Sequence, residues 1–417
     1  MRLLSYYGDD FTGSTDVMEA LASHGVETVL FTRIPTAEEF APFADHQVFG
    51  LAGLSRSQSP AWMDEHLPPI FAWLKSLGAR YAQYKVCSTF DSSPALGNIG
   101  RATEIGLQAF GQAMAPMIVG APQLKRYTQN GVLSAGYQGE TYRIDKHPVM
   151  SRHPVTPMLE PDLLKHLALQ SNLPSTIVRG AWPESGIGFV DVFDLDSQIR
   201  AGKRLLDWQG GFLVGSSGVE YALVAAQSLS KKAFAPLKAV DQTVVISGSV
   251  SPTTERQIRY STQNGFTALP IDAVELASEK ASLGAIIETA LQLLNEGKSP
   301  IIHTALGPAS DAGSILNAIP HARQKLGEGL GIILRALIER TKLRRVLVAG
   351  GDTSSHALGQ LDIFALTTRM PLPKTPGSPL CIAASNNQHL SGLEIALKGG
   401  QVGDDAYFVN LRDGVVN

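Results

Sequence analysis

RLLSYYGDDFTGSTDVMEALASHGVETVLFTR, residues 2–33, reads as strand, turn, helix and strand. Arg2–Tyr7 is a short apolar and aromatic run that stops at Gly8-Asp9-Asp10, the pattern of a buried strand running into a turn. Thr15–His24 then offers Val17, Met18, Ala20, Leu21 and Ala22 as the apolar positions of a helix. Thr28–Arg33 (TVLFTR) follows as a second strand. The same alternation continues through strand candidates at Gln47–Leu51, Arg80–Val86, Ala115–Val119, Thr176–Val178 and Gly211–Val214. Strands separated by helical stretches predict crossover units and a mostly parallel sheet. Ligands of such sheets bind beyond the carboxyl ends of the strands.

The alternation breaks at a domain boundary. Ser230–Asp241 (SKKAFAPLKAVD) is polar and basic, and a strand at Thr243–Ile246 follows it at once. Beyond it come a helix around Thr253–Asn264, a strand at Pro300–Thr304, a long helix from about Leu326 to Lys342 and a strand at Arg345–Ala349. The expectation is an α/β chain of two α/β domains, residues 1–230 and 240–417, with mostly parallel sheets and an active-site cleft between the domains. Residues 130–160 do not alternate and are expected to form a loop-rich excursion with a short hairpin.

The chain has 417 residues, 44% hydrophobic and 18% charged, with a net charge of −3. That composition suits a globular protein with sizeable cores and argues against long disorder. There is no excess of positive charge to neutralise a nucleic-acid backbone. Two distant cysteines, Cys87 and Cys381, exclude a disulfide framework or a cysteine-rich metal site. No stretch approaches the ~20 apolar residues of a membrane span, and the N-terminus lacks the pattern of a signal peptide. The expected partners are therefore small molecules, with no nucleic acid and no membrane; the expected compartment is cytoplasmic, and a homo-oligomer is allowed.

Six clusters carry candidate chemistry. Asp9 and Asp10 sit where the first strand enters a turn before a helix. One can cap the helix while the other orients a hydroxyl or takes its proton; a plain helix cap would also explain the pair. Lys85-Val86-Cys87-Ser88-Thr89-Phe90-Asp91 puts a lysine at a strand end and hydroxyls in the turn after it. Lys85 suits a carboxylate, while Ser88, Thr89 and Asp91 suit sugar oxygens, against the bland reading of a solvated turn. Arg152 and His153 lie between prolines; arginine matches a carboxylate bidentately, and a loop histidine is more often structural than catalytic. Ser247-Gly248-Ser249, Ala349-Gly350-Gly351-Asp352-Thr353 and Lys398-Gly399-Gly400 are glycine turns, the first two at strand-to-helix junctions. Backbone N–H groups there bind anions, Thr353 can bind phosphate, and Asp352 can approach a magnesium ion. The first is not a Walker A loop, for it lacks the Gly-Lys-Ser/Thr ending. A phosphate cradle in one half and acid, base and hydroxyl groups in the other suit phosphoryl transfer.

With these residues in view, the chain resembles the four-carbon acid sugar kinase family over essentially its whole length. The resemblance runs through GDDFTGSTD (8–16), KVCSTFDSSP with GNIG (85–100), RHPVTPM (152–158), GSSGVE (215–220), SGSVSPTTERQI (247–258), AGGDTS (349–354), PGSP (376–379) and ALKGG (396–400). It implies a sugar-acid-binding N-terminal domain and a nucleotide-binding C-terminal domain that uses ATP with Mg2+. It implies nucleotide contacts at Ser249, Gly350, Gly351, Asp352, Thr353 and Gly400, and a base or hydroxyl-orienting residue at Asp10 or Asp9. CSTFDSS looks most like members acting on 3-oxo-tetronates; others act on threonate, erythronate or 3-oxo-isoapionate. Three departures stand out. Gly399-Gly400-Gln401-Val402-Gly403 replaces a Ser-Gly-Asn-Phe-Gly pattern. Pro376-Gly377-Ser378-Pro379-Leu380 replaces Pro-Gly-Val-Pro-Trp. Lys125-Arg126-Tyr127-Thr128 replaces a Gly-Arg-Thr. Two rival readings are a sugar-acid dehydrogenase, which the missing G-x-G-x-x-G at the first strand counts against, and a sugar-acid binding protein without turnover.

Overall fold

The computed structural model describes residues 2–153 and 155–416, so Pro154 of the Arg152–Met158 segment lies outside the described residues, as does the side chain of Asp352. The chain divides into two compact units, Met1–Lys232 and Ala233–Asn417, and the division falls inside the polar Ser230–Asp241 segment.

The strands of the N-terminal unit are β1 (Leu4–Gly8), β2 (Thr28–Phe31), β3 (Val48–Ala52), β4 (Tyr81–Lys85), β5 (Met114–Ile118), β6 (Arg126–Gln129), β7 (Val132–Tyr137), β8 (Glu140–Arg143), β9 (Ser175–Ile177), β10 (Gly186–Val190) and β11 (Gly211–Gly215). All but β6–β8 lie side by side in the order β2-β3-β1-β4-β11-β5-β10-β9, and every pairing is parallel. Strands β1, β2, β4 and β10 are buried along their whole length, as expected where helices cover both faces of a parallel sheet. The irregular region is more ordered than the sequence suggests. Strands β6, β7 and β8 form a separate antiparallel sheet, turning at Asn130-Gly131 and Gln138-Gly139, all four with positive φ.

Two helices show how the sequence reading and the fold diverge. The first runs from Phe11 to Ala22, four residues ahead of its predicted start, because the Asp10 carboxylate accepts the Gly13 N–H at 2.7 Å and caps it. The helix Pro60–Ser76, in a stretch the sequence reading did not assign, runs through Pro68 and Pro69, residues that ordinarily interrupt a helix. Both prolines are exposed, while Met63, Leu67, Phe71 and Leu74 form the buried stripe that holds the helix to the sheet.

The C-terminal unit contains β12 (Val244–Ser247), β13 (Phe266–Pro270), β14 (Ser299–His303), β15 (Arg345–Ala349), β16 (Ile363–Met370), β17 (Leu380–Ser385) and β18 (Glu394–Lys398). Their order is β13-β14-β12-β15-β18-β17-β16. The pairings from β13 to β18 are parallel, and β17 pairs antiparallel with both β18 and β16. Leu237, Ile258, Phe266, Leu347, Leu380, Tyr407 and Phe408 belong to its core. Among the described residues, no helix is long and apolar enough to cross a membrane.

Candidate active site

Strand register decides which loops meet in the N-terminal unit. Gly8 at the end of β1 lies opposite Ala52 of β3 and Lys85 of β4, and Lys85 lies opposite Gly215 of β11. The segments after these strands therefore emerge side by side at the carboxyl edge of the sheet. They carry Asp9 and Asp10, Arg56, Cys87–Asp91, and Ser216–Glu220.

At the centre of this edge one guanidinium holds two carboxylates. Arg56 donates from Nε (3.1 Å) and Nη2 (2.7 Å) to Asp9, and from Nη1 (2.7 Å) and Nη2 (3.0 Å) to Asp10. The Arg56 N–H also donates to the Asp9 carbonyl. Burial works against the Arg56 charge, but Asp10 and Asp9 outweigh it and hold the guanidinium firmly protonated. Burial raises the Asp9 carboxyl above its ordinary value, with Arg56 opposing and Asp10 adding to the rise. The two carboxylates differ in access: 5% of the Asp9 side chain is exposed against 27% of Asp10. Asp9 thus braces the arginine, while Asp10 is both the helix cap and the carboxylate open to a ligand.

Lys85 is buried at the end of β4, and a Cβ on Gly13 would come within 2.6 Å of its Nζ. Glycine at position 13 therefore lets the ammonium lie against the Asp10 turn. After β4, Thr89 donates to Asp91 at 2.6 Å, and the Cys87 Sγ lies 2.9 Å from the Thr89 hydroxyl. Burial, together with Asp91, pushes the Cys87 thiol up. Phe90 is fully buried with φ of 58°, a left-handed conformation that side chains rarely adopt. Ser92 stabilises this turn by donating to the Phe90 carbonyl, and it meets His166 and Gln170 behind it. Such a strained, over-determined turn is typical of a binding loop. Ser88 is half-buried in it.

Arg126 also faces this turn. Its charge lies near Cys87 and Asp91, and burial lowers its pKa. Nη1 donates to the Leu124 and Lys125 carbonyls, whereas its buried Nε has no partner among the described residues. Lys125, which precedes it, has φ of 55°, so the chain enters β6 through a left-handed turn residue. Arg152 is exposed in a short turn, and His153 Nδ1 accepts from the Thr156 backbone. No contact joins either of them to the Asp10–Arg56 group among the described residues. Sequence reasoning missed Arg56; its only signal was a position just past the strand neighbouring β1. It quoted Arg126 only as part of a departure from the family pattern.

The C-terminal unit repeats the edge logic. Ser247 of β12 lies opposite Ala349 of β15, and Ala349 opposite Lys398 of β18. The three glycine turns thereby converge. A Cβ on Gly248 would strike the Thr353 hydroxyl, and one on Gly400 would lie 2.5 Å from the Ser249 hydroxyl. Gly350 has φ of 119°, which only glycine adopts freely. Ser249 Oγ accepts from Thr254 at 3.0 Å, and Thr254 Oγ1 lies 2.9 Å from the Gly400 carbonyl, so the first and third turns are tied together. The helix Gly351–Leu358 begins here, and the first N–H groups of a helix have no partner within it. Asp352 lies in its first turn. Ser249, Gly350, Gly351, Thr353 and Gly400 thus surround a backbone-lined cradle suited to polyphosphate. Gly400→Ala is expected to weaken nucleotide binding roughly tenfold by pushing the two turns apart. Isothermal calorimetry would register this, with sugar-acid binding unchanged.

A backbone-lined anion cradle in one unit and a carboxylate-and-arginine cluster in the other fit the division of labour of a small-molecule kinase. Two family descriptions match in this order: a sugar-binding N-terminal domain over residues 4–223 and a nucleotide-binding C-terminal domain over residues 244–408. The chain belongs to the four-carbon acid sugar kinase family. It is 42% identical to a 3-oxo-isoapionate kinase of Paraburkholderia graminis, over 99% of this chain and 94% of the relative. It is 28% identical to a 3-oxo-tetronate kinase of Pseudomonas fluorescens, over 97% of this chain and 95% of the relative. A solved Salmonella typhimurium LT2 protein, described as a tRNA synthase, has the same fold with TM-score 0.78 at 23% identity and 98% coverage of both chains. At that identity only the fold carries over.

Proposed function

We propose that the chain transfers the γ-phosphoryl group of ATP to a hydroxyl of a 3-oxo sugar acid. The observation that carries this reading is the Asp9–Arg56–Asp10 arrangement. It leaves one carboxylate, that of Asp10, held by Arg56 and partly open at a strand end, beside the buried Lys85 side chain. The hydroxyl oxygen attacks the γ-phosphorus, the bond from that phosphorus to the β,γ-bridging oxygen breaks, and ADP leaves. The hydroxyl proton passes to Asp10. Lys85 and Arg126 supply positive charge for the substrate carboxylate, and Thr89 and Asp91 supply hydrogen bonds for its hydroxyls. Ser88, Arg152 and His153 stay as sequence-based candidates for the same ligand. ATP occupies the glycine cradle. Mg2+ bound with the nucleotide would offset the charge of the phosphates, and Asp352 is the carboxylate the sequence offers to hold it.

The CSTFDSS segment favours 3-oxo-tetronate as substrate. The 42% identity to a 3-oxo-isoapionate kinase, against 28% to a 3-oxo-tetronate kinase, moves 3-oxo-isoapionate ahead of it. ADP release with magnesium-ATP decides the matter against a panel of 3-oxo-isoapionate, 3-oxo-tetronates, threonate and erythronate. The expected result is the highest kcat/KM with 3-oxo-isoapionate, and strong loss of turnover in Asp10→Asn with ATP binding intact. Tight acid binding without turnover on any member of the panel would replace the kinase reading with a binding protein.

A further inference from the structure

Lys398, the last residue of β18, is 1% exposed, and among the described residues no carboxylate pairs with it. Its Nζ donates to the Gly399 carbonyl at 2.9 Å, and reaches the Thr254 hydroxyl at 3.2 Å and the Gly400 carbonyl at 3.4 Å. An ammonium ion is thus buried behind the third glycine turn and, among the described residues, is met by dipoles alone. A trans peptide places its C=O and N–H on opposite sides, and the described chain has no cis bonds. Drawing the carbonyls of residues 399 and 400 toward Nζ therefore turns the N–H groups of Gly400 and Gln401 the other way. Neither of these N–H groups meets an acceptor among the described residues. Two adjacent unpaired amides beside Ser249, backed by a buried cation, make an anion-binding concavity.

We propose that Lys398 is the positioning residue of the nucleotide site, holding the Gly400 and Gln401 amides toward the polyphosphate and answering its charge from behind the turn. The inference rests on the nucleotide reading of this unit and extends it to a residue that acts through the loop.

The charges around Lys398 leave it without competition. On the loop and helix that follow, Asp404 pairs with Lys374 at 2.8 Å and Asp405 with Arg256 at 2.9 Å. On the helix Pro252–Thr262, Glu255 pairs with Arg259 at 2.8 Å, and Thr254 is the group that faces Nζ. The C-terminal helix presents the Tyr407 ring, 5.9 Å away. Beside β15, the side chain of Asp352 is outside the described residues. Burial lowers the Lys398 pKa to about 7. Nearby phosphate charge favours the protonated form and must raise that value. Nucleotide binding is then linked to proton uptake above pH 7, and to none near pH 5.5, where the lysine is already charged.

The test is calorimetric titration of the whole chain with ADP at pH 8, in two buffers of different ionisation enthalpy. ADP is fully deprotonated there and contributes no protons. The wild type is expected to take up close to one proton per nucleotide. Lys398→Met should bind ADP at least tenfold more weakly and take up none. Lys398→Arg, which keeps a charge that does not titrate, should retain more affinity than the methionine variant without proton uptake. Proton uptake that persists in Lys398→Arg, or ADP affinity unchanged in Lys398→Met, would overturn the role given to Lys398. A wild type that binds no nucleotide would overturn the nucleotide reading along with it, so the two failures are distinguishable.

Discussion

Arg56→Met is expected to lower kcat/KM for the sugar acid by a factor on the order of 100 to 1,000. It should also destabilise the N-terminal unit by about 3 kcal/mol at neutral pH. The guanidinium makes four hydrogen bonds to two consecutive carboxylates, and Asp9 is almost completely buried. Without Arg56, two like charges adjoin in a site that is partly out of water. Burial already raises the Asp9 carboxyl; losing Arg56 raises it further, so the folded variant holds a proton that the unfolded chain releases near its ordinary carboxylate value. The sign follows from linkage. A raised folded-state pKa gives stability that is present at low pH and lost as pH rises toward the folded value. The deficit of Arg56→Met against wild type should therefore be small near pH 4 and widest at neutrality, as urea denaturation at several pH values would show. Arg56→Lys separates charge from geometry. A single ammonium cannot make two bidentate pairs, so it should regain part of the stability and little of the turnover. Turnover within tenfold of wild type in Arg56→Met would remove the arginine from the site.

The difficulty of finding Arg56 in the sequence shows what local patterns carry and what they do not. Asp9, Lys85, Ser249, Gly350 and Gly400 could be picked out as candidates because each lies at or within two residues of the end of an apolar run, and a residue there in a buried parallel strand lies at the ligand edge. Arg56 sits in Leu54-Ser55-Arg56-Ser57, an ordinary polar turn, and acquires its role only through the register of β3 against β1. Arg126 depends likewise on the chain returning from β5 to the Cys87–Asp91 turn. Strand order is a long-range property that no window of sequence contains. The antiparallel part of the C-terminal sheet escaped for a local reason. The pairing of β16 with β17 is shifted at Ile363/Ala365 and again at Thr368/Met370, which breaks the period of two that marks a strand. The early helix start at Phe11 was hidden because Thr12-Gly13-Ser14 are weak helix formers, and the Asp10 cap compensates for them.

Glu220→Gln is expected to stabilise the protein, and by more as pH rises. Glu220 lies in the helix Gly218–Ala226 after β11, is fully buried, and neither carboxyl oxygen has a partner among the described residues. The Gln83 side chain lies close enough to favour the Glu220 carboxylate slightly, but its Nε2 donates to the Gly215 and Ser216 carbonyls. Burial pushes the Glu220 carboxyl up to about 8, against an opposing contribution from Lys85. At neutral pH it is a carboxylic acid in the folded chain and a carboxylate in the unfolded one. The unfolded chain therefore binds fewer protons, and stability falls from about pH 4.5 upward until the folded value near 8 is passed. At pH 7 this costs roughly 3 kcal/mol. Glutamine keeps the shape and removes the ionisation, and its N–H groups have unpartnered acceptors in reach of the same cluster, Asp16 Oδ1 and Gln83 Oε1. The gain in urea midpoint should be near zero at pH 4.5 and largest at pH 8. A functional consequence runs through Lys85. While Glu220 is neutral, Lys85 keeps its full pull on the substrate carboxylate. Once Glu220 ionises, a negative charge stands beside it, so KM for the acid should climb above about pH 8 in the wild type and stay level in Glu220→Gln. A variant no more stable than wild type at pH 8, with the same KM profile, would mean that Glu220 is already ionised in the folded chain and paired with Lys85.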